Sequence, residues 1–245
     1  MMINIVIPMA GLGSRFFQHG IMIPKPLILI KNLPFLYYAA ESLVRFYDYN
    51  NLIFIGLENH NEKNILIDNI FKYFPRAKIK LLKETPNGAV LTAREAIPLI
   101  DNDFPVVFND CDHMFYSEEL RLAQAEFSCI DGFLLTFASN NPNYSYCLKD
   151  DSGKIIGTVE KKVVGFEAIA GVYGFRNVEL FDQATGEYLI DCPYSEFFMS
   201  GVYNTSIFDN KIIKNYSVDF NISFGTPEEY FSVKNSELFS FFRPI

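Results

Sequence analysis

The first 130 residues alternate between short apolar runs and stretches whose apolar positions recur three and four apart. The apolar runs predict strands at 3–8, 52–57, 78–82 and 104–108. The stretches between them predict helices at 34–46, 61–74 and 89–100, the last of them ending near Pro98. Strand–helix alternation of this kind is typical of a three-layer α/β/α sandwich around a mostly parallel sheet.

The pattern changes after about residue 130. Four short strands are predicted at 132–138, 144–148, 155–160 and 168–175, separated by Asn, Asp, Gly and Pro. Helices near 178–185 and 194–206, a strand at 212–218 and a helix from Pro227 follow. We expect one domain over 1–245, in which the half 1–130 binds a ligand at its strand ends and the half 131–245 completes the pocket.

Composition and charge narrow the class of protein. The 245 residues are 49% hydrophobic and 20% charged, which excludes a disordered chain. The net charge of −8 argues against nucleic-acid binding, but it allows an anionic small ligand in a locally positive pocket.

Cysteine and histidine positions argue against a zinc site or a disulfide framework. The cysteines at 111, 129, 147 and 192 form no C-x-x-C pair, and the three histidines do not cluster. The sequence has no run long enough to span a membrane, and its N-terminus predicts a strand rather than a targeting segment. A soluble protein of the cytoplasm is expected.

A glycine-rich turn follows the first predicted strand, in Pro8-Met9-Ala10-Gly11-Leu12-Gly13-Ser14-Arg15. Phe16 replaces the third glycine of a dinucleotide-binding fingerprint, and no Gly-Lys-Ser/Thr follows for a P-loop. Exposed backbone N–H groups and an arginine are suited to phosphate oxygens. A tight turn with a surface arginine remains the alternative.

A lysine stands between two prolines in Pro24-Lys25-Pro26-Leu27. The prolines fix the backbone and therefore aim the ammonium group of Lys25. Taken alone, an extended loop with a solvated lysine explains this segment better.

Small residues precede the third predicted helix in Thr85-Pro86-Asn87-Gly88-Ala89. A flat base could lie against this backbone, although an ordinary helix start explains the segment better when it is taken alone.

Two carboxylates, Asp110 and Asp112, follow the fourth predicted strand. At a strand end that faces the cleft they are suited to Mg²⁺ shared with a ligand's phosphates. The alternative is a strand-end turn with solvated acids.

Together these motifs resemble the sugar-phosphate nucleotidyltransferases. The family's G-x-G-x-R and P-K-P-L signatures are present as Gly11, Gly13, Arg15 and 24–27. The resemblance continues through Val159-Glu160-Lys161, Gly171-Val172-Tyr173 and Gly225-Thr226-Pro227-Glu228. The stretches 142–146 and 196–198 are similar to the branch associated with bacterial capsule and surface polysaccharide synthesis.

The resemblance implies a glycosyltransferase-A-like fold and a set of roles. Arg15, Lys25 and Lys161 would be catalytic, and Mg²⁺ would be held by Asp110 and Asp112. The nucleotide would contact Ala10, Gly11, Leu12, Gly13, Ser14, Arg15, Thr85, Pro86, Gly88 and Asp110 in the half 1–130. The acceptor would contact Asp112, Glu160, Lys161, Gly171 and Glu196.

Two departures from the family pattern affect these expectations. Ser223 stands where the family often carries a second metal-binding Asp, so that Asp112, Asp219 or water would replace it. The glutamine that thymidylyl- and uridylyltransferases often place before the P-x-G turn is replaced by Lys83-Glu84-Thr85. The narrow slot expected beside Gly88 favours a pyrimidine nucleotide, CTP first.

The expected enzyme transfers a nucleoside monophosphate from an NTP to a small phosphorylated acceptor and releases pyrophosphate. The alternatives are a metal-dependent glycosyltransferase of the same fold, a non-catalytic nucleotide-binding relative and a purely structural protein. The phenylalanine-rich tail at 238–242 is expected to pack on its own core, although a homo-oligomer contact there stays open.

Overall fold

The computed structural model describes residues 1–244. Its strands are β1 (Ile3–Pro8), β2 (Leu29–Ile30), β3 (Leu33–Pro34), β4 (Tyr49–Leu57), β5 (Lys78–Leu82), β6 (Val106–Asn109), β7 (His113–Tyr116), β8 (Gly132–Ala138), β9 (Tyr146–Lys149), β10 (Ile155–Val159), β11 (Glu167–Phe175), β12 (Ile213–Ser217) and β13 (Phe220–Ser223). Its α-helices are α1 (Ser14–Gln18), α2 (Phe35–Val44), α3 (Ile65–Tyr73), α4 (Ala89–Arg94), α5 (Glu118–Ala123), α6 (Val178–Ile190) and α7 (Pro227–Val233). None of these helices is long and apolar enough to cross a bilayer.

Nine of the described strands form one mixed sheet. Strands β5, β4, β1 and β6 lie side by side and are parallel, and every residue of β1 is buried. Strand β11 pairs antiparallel with β6 and carries the sheet into the second half of the chain, where β8, β9, β10 and β12 complete it. The three-layer fold class predicted from the sequence is therefore confirmed.

Hydrophobic cores fill both faces of this sheet, since alternate side chains of β1 point to opposite faces. Ile5 and Ile7 pack with helix α2 in one core, whereas Val6 packs with helices α4 and α6 in the other. The aromatic tail joins the first core, in which Phe239 and Phe242 are buried and Phe239 packs edge-on against Tyr38 at 4.9 Å.

One predicted helix is wrong. The stretch 194–206 is irregular until the 3-10 helix Met199–Asn204. Pro193 lacks a backbone N–H, and the N–H and carbonyl of Phe197 are bonded to Asn87 and Val90 instead of to a helical turn. The predicted helix 89–100 ends early, since α4 ends at Arg94 and a separate 3-10 turn covers Ile97–Leu99.

Candidate functional site

The candidate site lies beyond the carboxyl ends of the central strands. The glycine-rich turn follows β1, and Asp110 follows β6, which is the neighbour of β1 in the sheet. Adjacent parallel strands end at the same edge of a sheet, so the sequence places both motifs together. Two adjoining cavities, here called cavity A and cavity B, open at this edge.

Cavity A contains almost all of the residues expected to bind a nucleotide. It is lined by Pro8, Met9, Ala10, Gly11, Leu12, Gly13, Ser14, Lys25, Pro26, Thr85, Pro86, Gly88, Ala89, Thr92, Asp110, Cys111, Asp112 and Glu196. Arg15 is absent from this wall and lines cavity B instead. Glu196, expected on the acceptor side, lies in the wall of cavity A.

The glycine-rich turn offers free backbone donors to cavity A. The N–H groups of residues 11–13 make no bond to a backbone carbonyl within residues 1–244. Gly13 has φ +67°, and a Cβ there would lie 3.0 Å from the Cβ of Lys25. The turn therefore needs glycine both for its left-handed backbone and for its contact with the Lys25 segment.

Lys25 is ion-paired with Asp112 at the junction of the two cavities. Burial alone would lower the pKa of Lys25, but the Asp112 carboxylate beside it raises that pKa overall. Burial alone would likewise raise the pKa of Asp112, and the Lys25 ammonium lowers it overall. Both groups are charged at neutral pH, and each fixes the position of the other.

Asp110 lies against the backbone of β11 and points into both cavities. Its N–H donates to the Gly171 carbonyl at 2.9 Å, and a Cβ on Gly171 would lie 2.8 Å from the Asp110 Oδ2. Burial and the nearby Asp112 carboxylate raise the pKa of Asp110. The surroundings of Asp110 therefore supply too little positive charge to stabilise its ionised form.

These residues fit a divalent metal that is shared with a substrate. No group of three or more His, Cys, Asp or Glu side chains converges on a metal position within residues 1–244. Asp110 is nevertheless a carboxylate in need of a cation, and Mg²⁺ usually takes one or two protein carboxylates together with water and phosphate oxygens. Asp110 and Asp112 would supply those carboxylates.

Cavity B contains most of the residues expected at the acceptor site. Its wall includes Asp112, Glu160 and Gly171 from the sequence prediction, together with Arg15 and Lys25. Glu160 is held by the hydroxyl of Ser200, which donates to Oε2 at 2.7 Å, and by that of Ser145. The carboxylate of Glu160 is thus fixed in direction before any ligand arrives.

Lys161 does not line either cavity. Its Nζ lies 4.4 Å from the ring centroid of Phe198 and 4.0 Å from the carboxylate of Glu196. The side chain is half exposed, and it connects the end of β10 with the segment 196–198. Its catalytic role stays a prediction.

Several cavity B residues escaped the sequence prediction. Phe198 and Asn221 line the wall, as does Ser223 at the position of the family's second Asp. Asn221 and Ser223 lie on β13, which pairs with β7, so the strand-end acids and residues about 110 positions later share one wall. That ladder joins two strands of four residues each, and such short segments carry little periodicity in the sequence.

Comparison with known proteins extends these observations. No protein-family model and no curated protein matches the sequence. Among solved structures, the nucleoside-diphosphate-sugar pyrophosphorylase from Vibrio cholerae RC9 is similar with a TM-score of 0.80 and 22% identity, over 93% of this chain and 98% of that chain. A UDP-glucose pyrophosphorylase complexed with UDP-glucose has a TM-score of 0.77 and 16% identity, over 98% of this chain and 100% of that chain.

A third similar solved structure is named for a different nucleotide, CTP. The inositol-1-phosphate CTP transferase from T. maritima has a TM-score of 0.72 and 14% identity, over 99% of this chain and 95% of that chain. Identities this low show the fold alone. The chain therefore has the fold of the sugar-phosphate nucleotidyltransferases, as its sequence motifs predicted.

Proposed function

We propose that the protein transfers a nucleoside monophosphate from an NTP to a small phosphorylated acceptor and releases pyrophosphate. The observation that supports this most directly is the junction of the two cavities. Lys25, Asp110 and Asp112 belong to the walls of both, with the glycine-rich turn on one side and Glu160 on the other. A site of this form can hold two phosphorylated substrates with their reacting ends together.

Charge explains why a cation, Lys25, stands at the junction. An NTP and a phosphomonoester bring roughly six negative charges together, taking the second phosphate pKa near 6. Two unit charges 4 Å apart repel by about 4 kcal/mol at an effective dielectric of 20. Arg15 and Lys25 reduce this repulsion, and Mg²⁺ held by Asp110 and Asp112 would add charge stabilisation of the phosphate oxygens.

The reaction then needs positioning more than covalent chemistry. An acceptor phosphate oxygen, already anionic near neutral pH, attacks the α-phosphorus as the bond to pyrophosphate breaks on the opposite side. Lys25 donates hydrogen bonds to the α-phosphate and acceptor oxygens, and its pairing with Asp112 holds it in place for both. The turn N–H groups bind the departing phosphates, and Arg15, in the wall of cavity B, binds the acceptor phosphate.

We further propose a pyrimidine nucleotide, CTP first, and a role in capsule or surface polysaccharide synthesis. The loop 85–89 forms a wall of cavity A, and the cytidylyl enzyme from T. maritima shares this fold. The stretches 142–146 and 196–198 support the polysaccharide role through the family branch that they resemble.

A pyrophosphate-release screen tests the proposal. Each of the four NTPs is combined with Mg²⁺ and with a panel of sugar, polyol and amino-alcohol phosphates. Pyrophosphate formed only when both substrates are present supports the proposal. Free NDP from an NDP-sugar would indicate a glycosyltransferase instead, and NTP binding without turnover on the panel would indicate a nucleotide sensor.

A further inference from the structure

Glu160 is an oriented negative charge without a positive partner. Its Oε2 accepts hydrogen bonds from Ser145 and Ser200, and both serines are buried. None of the ion pairs among residues 1–244 includes Glu160, and the adjacent Lys161 is directed to Glu196 instead. Oε1 accepts no hydrogen bond within residues 1–244, and Glu160 lines cavity B.

Aromatic rings share the cavity with this carboxylate. Phe137, Tyr144 and Tyr173 line the same cavity, and Phe137 and Tyr144 pack edge-to-face with centroids 5.0 Å apart. Ring faces attract ammonium groups, most strongly where the cation is shielded from water. In the adjoining segment the face of Phe198 already holds the Lys161 ammonium.

Two hydroxyl groups of this wall already donate to carboxylates. The hydroxyl of Ser145 is donated to Glu160, and that of Tyr144 is donated to Glu229 at 3.3 Å. Beyond Arg15 and the junction residues Lys25, Asp110 and Asp112, the charged side chains of this wall are two acids, Glu160 and Glu229.

We propose that the acceptor is a phosphomonoester that carries an ammonium group. Its phosphate lies at Lys25 and Arg15, and its ammonium lies at Glu160 between the aromatic rings. This inference rests on the proposed function, because it assigns cavity B to the acceptor. It narrows the acceptor from any small phosphomonoester to a phosphorylated amino compound.

Two isosteric pairs of acceptors test the charge directly. Phosphoethanolamine is compared with propyl phosphate, and phosphocholine with 3,3-dimethylbutyl phosphate, so that only the positive nitrogen differs within a pair. For one pair at least, kcat/KM for pyrophosphate release should be tenfold or more in favour of the cation, the size expected for a charged hydrogen bond or ion pair. Equal or better turnover of both neutral members would overturn the inference.

Variants assign the effect to Glu160. Glu160→Gln should bring the ratio within the responsive pair toward one, whereas Glu160→Asp, which keeps the charge, should retain a preference for the cation. Glu126→Gln removes an exposed carboxylate paired with Lys214, and kcat/KM with both acceptors of the pair should stay unchanged. An unchanged ratio in Glu160→Gln would contradict the role of that residue.

Calorimetric binding of the same pairs, with each NTP present, separates this inference from the proposed function. Preferential binding of the cation that Glu160→Gln abolishes, without any pyrophosphate release, would support the ammonium site and contradict the transferase. Turnover of neutral acceptors without any cation preference would support the transferase and contradict the ammonium site.

Discussion

Gly88 and Phe197 are packed backbone to backbone across the boundary between the two cavities. A Cβ on Gly88 would lie 2.6 Å from the Phe197 carbonyl oxygen, and Gly88 itself has φ +102°. The N–H of Phe197 donates to the Asn87 carbonyl at 3.3 Å, and the N–H of Val90 donates to the Phe197 carbonyl at 3.1 Å. The loop of cavity A and the segment carrying Phe198 of cavity B are therefore one bonded unit.

Gly88→Ala should consequently impair the use of both substrates. The new methyl group meets backbone that cannot rotate away, so the loop and the segment 196–198 must separate. We expect a stability loss of about 1–3 kcal/mol and a fall in kcat/KM of about tenfold or more for nucleotide and acceptor alike. Steady-state kinetics with each substrate varied, together with thermal unfolding, measures both.

Gly186→Ala is the matched control for that substitution. Gly186 lies within helix α6 with open space around its Cβ position, so alanine should stabilise the protein by about 0.5–1 kcal/mol without affecting kinetics. A Gly88→Ala enzyme in which only the KM for the nucleotide rises would contradict the coupling of the two walls.

Lys25→Ala should lose at least about 100-fold in kcat, because it removes the cation that both cavities share. The substitution also leaves Asp112 without its ion-pair partner. Lys25→Ala combined with Asp112→Asn separates these effects, since the double variant should recover stability but not turnover. Lys214→Ala, which breaks an exposed pair with Glu126, should keep wild-type rates. Wild-type pyrophosphate release by Lys25→Ala would contradict its assigned role.

The sequence predicted the parallel half of the fold more completely than the second half. Strands β1 and β5 of the parallel half have the predicted bounds, as does β8 in the second half. Strands β1 and β8 are largely buried and therefore show as mostly apolar runs that turn residues interrupt. The segment around Phe197 carried helical spacing, and only the tertiary bonds to Asn87 and Val90 decide its conformation. Long-range pairing of this kind leaves no local signal.

The candidate site shows the same division. Most residues of cavity A come from three contiguous motifs and a strand end, so the sequence could predict them. Lys161 has a backbone φ of +52° and lies against the Phe198 ring, outside the walls of both cavities. That geometry depends on a contact 37 positions away in the sequence and was not predicted.

Asp110→Asn should separate activity from folding. The Asp110 side chain makes no hydrogen bond within residues 1–244, and asparagine has the same shape, so the melting temperature should stay close to that of wild type. The loss of the charge should remove metal-dependent turnover. Activity measured against Mg²⁺ concentration checks this, and a wild-type metal response in Asp110→Asn would exclude Asp110 as the metal-binding carboxylate.

Ser223→Asp should strengthen the dependence on metal. Ser223 shares the wall of cavity B with Asp110 and Asp112, so a carboxylate at this position adds a third acid to the two that are present. We expect half-maximal activity at a Mg²⁺ concentration lower by about tenfold, the equivalent of about 1.4 kcal/mol. An unchanged or higher Mg²⁺ requirement would show that position 223 lies outside the metal's reach.

Phe224→Ala should destabilise the protein and loosen the site together. Phe224 is fully buried and packs against Phe35 at 4.5 Å and Phe239 at 6.0 Å, while its N–H donates to the Asp112 carbonyl at 2.9 Å. Truncating a buried phenylalanine costs about 3–5 kcal/mol, and the strand end that carries Asp112 loses its support. The midpoint of chemical denaturation and kcat should therefore both fall. Phe231→Ala, at a half-exposed position, should change the free energy of unfolding by less than about 1 kcal/mol. Full activity in a strongly destabilised Phe224→Ala enzyme would show that Asp112 is positioned by Lys25 alone.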